Sequence, residues 1–582
     1  MDLSDSTTQE GNLPIGVDDY KDLIDEGYIY VDKTLLIKEF WKHKSKVTLV
    51  ARPRRFGKSI SLSMLRYFFE KTEQSTAYLF ERANIWKEKG FKELQGTYPI
   101  IHISFKDIKA TTWEKAYQKL KTLLAKEVYR TLHSLEPTMN DYYRSSYEAL
   151  IKETAGEARF EGSLLFITEV FKEYYHKNTI ILLDEYDAPI THAYLHNFYE
   201  QMIEFMRNLL SPALKGNPHL HRGFMTGVVR TAKDGIMSGL NNPKICTMLD
   251  KNFSDKFGFT QNEVEKLLLQ AGRLDQKEEV KAWYNGYVIG AEYLATPTTR
   301  HYAARVYNPW SIINYLEGAI SPKPYWVNTG STRILERLIE EASDETQKSL
   351  KILLEGKALE NKQINQDVIL LDLDKKYIEP WSFLFFAGYL TATKHTFQDN
   401  EHSYTLAVPN EEITKLYKEL VTSVINKSFT SNRLKELLKA LITGDIGTVN
   451  KLLEEFLNSL CSYHDLPHDD LERSLHLFVL GLLASLSEKY VIKSNLESGT
   501  GRADILMYPK HNCDLAVVLE LKKGTKAEEL DSLSSQALEQ IKEKKYCALV
   551  KEFGYQGKIL CYGIAVFKKK LLAKLETIEP IN

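Results

Sequence analysis

The chain has 582 residues, which is too many for one hydrophobic core and predicts two to four domains. Its hydrophobic content of 43% and its charged content of 26% are ordinary for globular proteins. The formal net charge of −2 excludes a global electrostatic attraction to nucleic acid or to a membrane, so any such binding has to come from local patches.

The cysteines and the apolar runs of the sequence indicate in which cellular compartment the protein is expected. The five cysteines are scattered and form no Cys-x-x-Cys pair: Cys246, Cys461, Cys513, Cys547 and Cys561. This pattern argues against a disulfide framework or a zinc site and indicates a reducing compartment. The first residues do not resemble a secretory signal peptide, and no apolar run approaches the roughly 18 residues of a membrane span. We expect a cytoplasmic protein, although export by a dedicated bacterial machinery would leave no trace in such patterns.

Four segments follow one another along the chain. Residues 1–12 are predicted to be disordered. Residues 13–274 alternate strand-like runs ("KVTLVA", "YPIIHISF", "NTIILLDEY", "HRGFMTGVV") with helical patterns, which predicts parallel βαβ units. Residues 275–460 are predicted to be an α-rich, lid-like or winged-helix-like region that ends in paired amphipathic helices at Asn432–Leu460. Residues 461–582 predict a last domain in which a helix is followed by strands, a glutamine-bearing helix and a further strand.

The stretch Val47–Phe69 predicts a strand, a tight turn at Gly57 and a helix. Such a turn directs backbone N–H groups and the positive end of the helix dipole at an anion. Lys58 is then expected to reach the β- and γ-phosphates of a nucleotide, and the Ser59 hydroxyl is expected to help hold Mg²⁺. The pattern departs from G-x-x-x-x-G-K-[ST] at its first glycine, which is Arg52 here.

The other residues of this turn are predicted to belong to the same cofactor-binding loop. Arg55 and Phe56 directly precede the glycine. Arg52, Arg54 and Arg55 would add positive charge beside a nucleotide, or they would form a solvated basic turn.

The second half of a nucleotide site should be an apolar strand that ends in an acid. Ile180–Leu183 are followed by Asp184, predicted to hold the Mg²⁺ shell, and by Glu185, predicted to orient or activate the attacking water. The next strand ends near Thr226, a candidate sensor of the γ-phosphate, and Arg230 is a candidate charge clamp. A structural role is the alternative for both.

Several motifs closely resemble the AAA-ATPase-like family: "LPIGVDDYKDLIDEGYIYVDKTLLIKEF", "RPRRFGKSISLSML", "LLDEYDAPI" and "TGVVRTAKDGIMSGLNN". Members of that family join a P-loop ATPase module to a C-terminal PD-(D/E)xK nuclease-like domain. The resemblance extends along nearly the whole chain and implies ATP and Mg²⁺ as cofactors. An arginine at the first glycine position is typical of this family, so Arg52 implies no loss of nucleotide binding. The family motif at Tyr30–Thr34 would place an acid and a base beside the nucleotide or would lock the first helix.

A second group of chemically active residues occurs near the C-terminus. Asp504 and Glu520 are predicted on two strands joined by a turn, and Lys522 shares a face with Glu520 because side chains alternate along a strand. The two carboxylates would bind one or two Mg²⁺ or Mn²⁺ ions, and the lysine would position or deprotonate the attacking water. This combination predicts hydrolysis of a phosphodiester.

The same residues resemble the core of PD-(D/E)xK nucleases. Ala503-Asp504 stands where that core usually has Pro-Asp. The resemblance implies that Glu472 is the upstream helical acid and a metal ligand, and that Gln540 is the glutamine of the following helix. His476 is a metal neighbour or a structural histidine.

Aromatic and basic clusters leave alternatives open. The aromatic residues of Trp283–Tyr287 and Tyr307–Ser311 would stack on bases, or they would pack a lid against the first domain. The basic runs Lys542–Lys545 and Lys568–Lys570 would follow a phosphate backbone, or they would be solvated faces.

The predicted fold is therefore multidomain α/β: an AAA-like P-loop ATPase module, an α-rich middle region and a restriction-endonuclease-like C-terminal domain. The predicted function is an ATP-regulated, metal-dependent nuclease that acts on DNA or RNA, and homo-oligomers are compatible with this architecture. The alternative is an ATP-driven switch or scaffold whose nuclease-like domain binds nucleic acid or protein without cutting.

Overall fold

The structure is a computed structural model in which the chain divides into two compact units. Unit 1 comprises Met1–Gly330 and Ala358–Ile413, and unit 2 comprises Ser331–Lys357 and Thr414–Asn582. The residues that the structure describes are 12–228, 243–295, 298–299, 302–318, 321–326, 335, 344–354, 356–366, 380–428, 431–463, 479, 483, 489–498, 501–510, 515–567 and 570–579.

The strands and helices of the described residues are numbered in chain order. The strands are β1 Val47–Ala51, β2 Ile100–Ser104, β3 Thr179–Asp184, β4 Leu220–Gly227, β5 Pro243–Cys246, β6 Phe259–Thr260, β7 Tyr287–Ile289, β8 Ala304–Tyr307, β9 Leu359–Lys362, β10 Thr391–Gln398, β11 Glu401–Ala407, β12 Tyr490–Ser498, β13 Gly501–Pro509, β14 Ala516–Lys523, β15 Ile559–Phe567 and β16 Lys570–Ile578. The helices are α1 Tyr20–Asp25, α2 Leu35–Lys42, α3 Lys58–Phe69, α4 Trp113–Leu132, α5 Asp141–Ile151, α6 Glu157–Glu161, α7 Ser163–Tyr175, α8 Ala188–Leu195, α9 Tyr199–Leu214, α10 Gln261–Gln270, α11 Lys277–Tyr284, α12 Pro309–Leu316, α13 Asp344–Leu354, α14 Trp381–Phe386, α15 Glu411–Ser428, α16 Ser431–Thr443, α17 Ile446–Tyr463, α18 Leu530–Glu543 and α19 Tyr546–Glu552.

The main sheet of unit 1 has the order β2-β3-β4-β1-β5, and all four of its strand pairs are parallel. Every residue of β1 and β3 is buried. This burial explains their continuous apolar sequences, since a parallel sheet is covered on both faces. The predicted parallel βαβ arrangement is confirmed. The strand β4 separates β1 from β3, and the carboxyl ends of all three strands meet at one edge.

The middle of the chain contains more strands than the α-rich prediction allowed. Two small sheets have the orders β6-β8-β7 and β10-β11-β9. The hairpin of β10 and β11 turns at Asp399 and Asn400, which both have positive φ, at 53° and 65°. A two-residue turn of this kind matches the twist of antiparallel strands and favours Asn and Asp. The prediction missed the hairpin because its strands are largely polar.

The aromatic residues of the middle region form a core. Tyr284, Tyr287 and Tyr307 are fully buried. The ring of Tyr287 meets the ring of Phe56 edge to face, with centroids 5.0 Å apart. Packing, rather than stacking on bases, is therefore confirmed for these three tyrosines.

Unit 2 is built on a five-stranded sheet of the order β12-β13-β14-β15-β16. The pair β14–β15 is parallel, and the other pairs are antiparallel. Apolar residues of α16 and α17 cover one face of this sheet, and residues of α18 and α19 cover the other. The predicted pair of amphipathic helices and the strands on either side of the glutamine-bearing helix are confirmed.

Two further observations concern the environment of the chain. None of the helices in the described part of the chain combines the length and the apolar character needed to cross a lipid bilayer. Cys246, Cys547 and Cys561 are buried and free.

Candidate functional sites

The first candidate site lies where β1 turns into α3. Arg55 has a φ of 65° and Gly57 a φ of 80°, so the chain passes twice through the left-handed region before the helix begins at Lys58. Glycine adopts this conformation without steric cost. The turn leaves the N–H groups of the first helical turn without partners inside the helix, which makes the N-terminus of α3 an anion-binding end.

The amino group of Lys58 lies underneath this turn. It donates hydrogen bonds to the carbonyl oxygens of Arg52 at 3.1 Å and Pro53 at 2.8 Å. Burial lowers the pKa of Lys58, and the nearby carboxylates of Glu185 and Asp184 oppose this shift. The sequence prediction placed Lys58 beside the phosphates, and the structure holds its amino group against the loop that would surround them.

The carboxylate of Asp184 joins the ends of three elements. It accepts hydrogen bonds from the hydroxyl of Ser59 at 2.6 Å, from that of Thr226 at 2.6 Å and from that of Ser104 at 3.3 Å. Only 1% of Asp184 is exposed. The structure therefore brings together the predicted Mg²⁺ residues Ser59 and Asp184 and the predicted sensor Thr226. Hydroxyl and carboxylate oxygens are ligands that Mg²⁺ prefers.

Glu185 follows in the left-handed conformation, with a φ of 48°. Burial raises the pKa of Glu185, and the charge of Lys58 acts against this shift. A carboxylate with a raised pKa is better suited to accept a proton near neutral pH. Asp187 directly precedes α8, but its side chain makes no capping hydrogen bond to that helix and instead accepts one from the N–H of Val228 at 2.8 Å.

The position of the Arg52 side chain differs from both predicted alternatives. It is 0% exposed, so it is neither a solvated residue nor a charge beside the phosphates. Its guanidinium donates hydrogen bonds to five carbonyl oxygens, those of Ala51, Cys246, Thr247, Asn252 and Phe253. The side chain therefore connects the end of β1 to the segment after β5, an arrangement that no local pattern reveals.

Residues of the middle region of unit 1 also contact the loop residues next to Arg52. The guanidinium of Arg55 lies 4.4 Å from the ring centroid of Trp310. The carbonyl oxygen of Arg54 accepts hydrogen bonds from the side chains of Asn308 at 3.4 Å and Trp326 at 3.1 Å. The side chain of Phe56 is buried, so only its backbone is left to contribute to the predicted cofactor-binding loop.

The motif Tyr30–Thr34 makes structural contacts. The Asp32 carboxylate accepts hydrogen bonds from the backbone N–H and the hydroxyl of Thr34, and Lys33 forms an ion pair with Glu263 at 2.7 Å. These contacts fit the alternative in which the motif locks the first helix. Arg230, the predicted charge clamp, lies outside the described residues.

The second candidate site lies on neighbouring strands of unit 2. Ile505 of β13 pairs with Leu519 of β14, which brings Asp504 next to Glu520. The N–H of Asp504 is 3.4 Å from a carboxylate oxygen of Glu520, and the N–H of Leu521 donates to the Asp504 carboxylate at 2.8 Å. The predicted pairing of the two acids is therefore present.

Gln540 of α18 connects the remaining predicted residues. Its side-chain oxygen accepts a hydrogen bond from the amino group of Lys522 at 2.7 Å, and its nitrogen donates to the carboxylate of Glu520. The same nitrogen is 3.4 Å from the hydroxyl of Tyr546, the first residue of α19. Glu520 is only 4% exposed. One acid, the lysine and the glutamine thus form a continuous hydrogen-bonded group on the sheet face that α18 covers.

The residues present fit a divalent metal in part. Asp504 and Glu520 supply adjacent carboxylates, which are suitable ligands for Mg²⁺ or Mn²⁺. Within the described ranges, no cluster of three or more His, Cys, Asp or Glu side chains is arranged to hold a metal ion. Glu472, the predicted third ligand, and His476 lie outside those ranges.

Two residues of these sites were missed in the sequence. Ser104 ends β2 and reaches Asp184, and a polar residue at the end of a predicted strand was a usable signal for it. Tyr546 is fully buried beside Gln540, but it follows a run of lysines that gives no such signal.

Comparison with known proteins agrees with this division of the chain. Residues 14–237 match the family model described as "Predicted AAA-ATPase", and residues 470–576 match the model of the "PD-(D/E)XK nuclease superfamily". The "Uncharacterized protein in vnfD 5'region" of Azotobacter chroococcum mcd 1 is 25% identical over 464 residues, which cover 78% of this chain and 78% of that protein.

Proposed function

We propose that this chain, which joins a predicted AAA-ATPase domain to a domain of the PD-(D/E)XK nuclease superfamily, hydrolyses ATP and cuts nucleic acid phosphodiesters. The observation that supports cutting most strongly is the convergence of Asp504, Glu520, Lys522 and Gln540 from two strands and one helix. An acid pair beside a lysine is the chemistry that phosphodiester hydrolysis needs.

In unit 1, the N-terminus of α3 and Lys58 would bind the phosphates of ATP. Ser59 and Asp184, whose side-chain oxygens are 2.6 Å apart, would hold Mg²⁺. Thr226 shares the Asp184 carboxylate and would respond to the occupant of the γ-phosphate position. Glu185, whose pKa is raised by burial, would accept the proton of the attacking water.

In unit 2, Asp504 and Glu520 would hold Mg²⁺ or Mn²⁺. A bound metal of this kind polarises the phosphate and makes its water more acidic. The Lys522 amino group would balance the negative charge that develops on the phosphate. Gln540 would keep Lys522 and Glu520 in fixed orientation, since it bonds to both.

A second candidate function is an ATP-driven switch or scaffold whose nuclease-like domain binds nucleic acid or protein without cutting. Within the described residues the candidate centre has two carboxylates, those of Asp504 and Glu520, and Glu472 lies outside them, so a centre that lacks a third ligand would favour this function. Two carboxylates alone hold a divalent ion less firmly than a complete set of ligands.

The test measures cleavage of mixed DNA and RNA with Mg²⁺ or Mn²⁺, with and without ATP. We expect Asp504→Ala to lower cleavage by about two orders of magnitude or more, and Lys58→Ala to abolish ATP hydrolysis and change cleavage. Asp399→Asn and Lys89→Ala serve as matched controls, since both change exposed residues away from the sites. If ATP is hydrolysed and nothing is cut, the nuclease proposal is wrong and the switch becomes the better explanation.

A further inference from the structure

The edge of the unit 1 sheet opposite the nucleotide site has an unusual composition. The amino ends of the five parallel strands lie at this edge. A basic or aromatic residue lies within two positions of the first residue of each strand: Lys46 at β1, Tyr98 at β2, Lys177 at β3, Arg222 at β4 and Lys244 at β5. We call the group of Trp41, Lys46, Lys71, Tyr98, Lys177, His221 and Arg222 the amino-edge surface.

Stacked rings form the base of this surface. The ring of Trp41 stacks on those of Phe69 and His221, with centroid distances of 5.4 and 5.3 Å. Tyr98 lies against His221 at 4.6 Å. Trp41 is half-buried, and the rings of Phe69 and His221 and the guanidinium of Arg222 already lie against its ring.

Cations lie over these rings. The amino group of Lys177 is 4.3 Å from the Tyr98 centroid, and the guanidinium of Arg222 is 5.3 Å from the Trp41 centroid. Arg222 also donates to the backbone carbonyl oxygens of Phe40 and His43. These contacts orient the charges without neutralising them, since neither a ring nor a carbonyl group carries a full negative charge.

The positive charges of the surface lack acidic partners. Throughout the part of the chain that the structure describes, no carboxylate forms an ion pair with Lys46, Lys71, Lys177 or Arg222. Burial, followed by the charge of Arg222, lowers the pKa of Lys46, and burial, followed by that of Lys71, lowers the pKa of Lys177. The charges therefore repel one another, and a bound anion would relieve this repulsion.

We propose that the amino-edge surface binds the phosphate backbone of a nucleic acid strand without regard to its sequence. Lysine and arginine charges at the ends of adjacent strands fit a row of phosphates, and the groups that already pack on the Trp41 ring favour recognition by charge over base stacking. The choice of nucleic acid over another polyanion rests on the proposed function, in which unit 2 acts on the same class of molecule.

The test measures binding of fluorescein-labelled single- and double-stranded DNA and RNA to the full chain with Asp504→Ala, which prevents cleavage. We expect Lys46→Gln with Lys177→Gln to weaken binding about tenfold and to reduce the slope of log affinity against log salt by about 1.5. The matched control is Lys277→Gln with Lys281→Gln, two exposed lysines of α11, which should leave both quantities unchanged. Thermal melts establish that each variant is folded.

Each other outcome overturns the inference in its own way. If the parent binds oligonucleotides and the Lys46/Lys177 variant binds them equally well, the surface is not the binding site, while the proposed function stands. If the parent binds no DNA or RNA, the nucleic acid partner of the proposed function falls as well. If poly-glutamate binds the parent but not the variant and oligonucleotides bind neither, the partner of the surface is an acidic protein.

Discussion

Single buried ionisable side chains hold the candidate nucleotide loop in place. The Arg52 guanidinium donates hydrogen bonds to five backbone carbonyl oxygens. In the middle region, the buried side chain of Glu412 accepts hydrogen bonds in a comparable way. The fully buried Glu412 carboxylate accepts hydrogen bonds from the N–H groups of Tyr325 and Trp326 and from the hydroxyl of Ser311. Since Trp326 also donates to the carbonyl oxygen of Arg54, a buried acid helps to position the loop that would bind ATP.

Glu412 predicts a pH dependence of stability. Burial raises the pKa of Glu412 to about 7, whereas an unfolded glutamate titrates near 4.3. Between these values the unfolded state loses its proton while the folded state keeps it, so this residue makes folding less favourable as pH rises. We therefore compare the free energy of unfolding of Glu412→Gln with that of the parent at two pH values. The difference, variant minus parent, should increase by about 2–3 kcal/mol from pH 4.5 to pH 7.5. Denaturant unfolding at both pH values measures the difference, and a constant difference would contradict it.

At the scale of elements, one close contact determines the geometry of the second site. Gly563 of β15 lies directly under α18, and a Cβ atom at Gly563 would be only 2.2 Å from the carbonyl oxygen of Ser534. The same helix presents Gln540 to Lys522 and Glu520. The geometry of the candidate group of Glu520, Lys522 and Gln540 therefore depends on a helix that packs against the backbone of a glycine.

Gly563→Ala should displace α18 and separate Gln540 from its partners. We expect the free energy of unfolding to fall by about 1–3 kcal/mol and metal-dependent cleavage to decrease more than the folded fraction does. Gly447→Ala is the control, because its nearest contact for a Cβ atom is 3.6 Å away. Urea unfolding and cleavage assays on both variants provide the measurement. Unchanged cleavage in Gly563→Ala would contradict the expected displacement of Gln540 from Lys522 and Glu520.

At the scale of the whole molecule, the division into two compact units assigns each proposed ligand to its own unit. The candidate nucleotide residues lie in Met1–Gly330, and Asp504, Glu520 and Gln540 lie in Thr414–Asn582. A ligand that binds only the folded form of a unit stabilises that unit by mass action.

Calorimetry of the full chain should therefore resolve the two ligands. ATP with Mg²⁺ at about 100 times its Kd should stabilise one transition by about 2.7 kcal/mol, and Lys58→Ala should remove this effect. Mn²⁺ should stabilise another transition, and Asp504→Ala should remove that effect. A single transition that responds to both ligands would contradict independent unfolding of the two units.

The sequence by itself determined the features that depend on neighbouring residues. The apolar runs predicted β1 to β4 because parallel strands are buried on both faces. Alternation along β14 predicted that Glu520 and Lys522 share a face, and Gly57 marked the turn before α3. These inferences needed only the period of a strand and the backbone freedom of glycine.

Tertiary structure alone decided the features that depend on distant residues. Arg52 is buried because carbonyl groups about 200 positions further along the chain surround its guanidinium. Gln540 connects Lys522 to Glu520 because α18 packs closely against β15 at Gly563. The amino-edge surface exists because parallel pairing brings the beginnings of β1 to β4 to one edge, although their basic and aromatic residues are far apart in sequence. Local patterns predict the elements, but the free energy of burying a charge depends on everything that surrounds it.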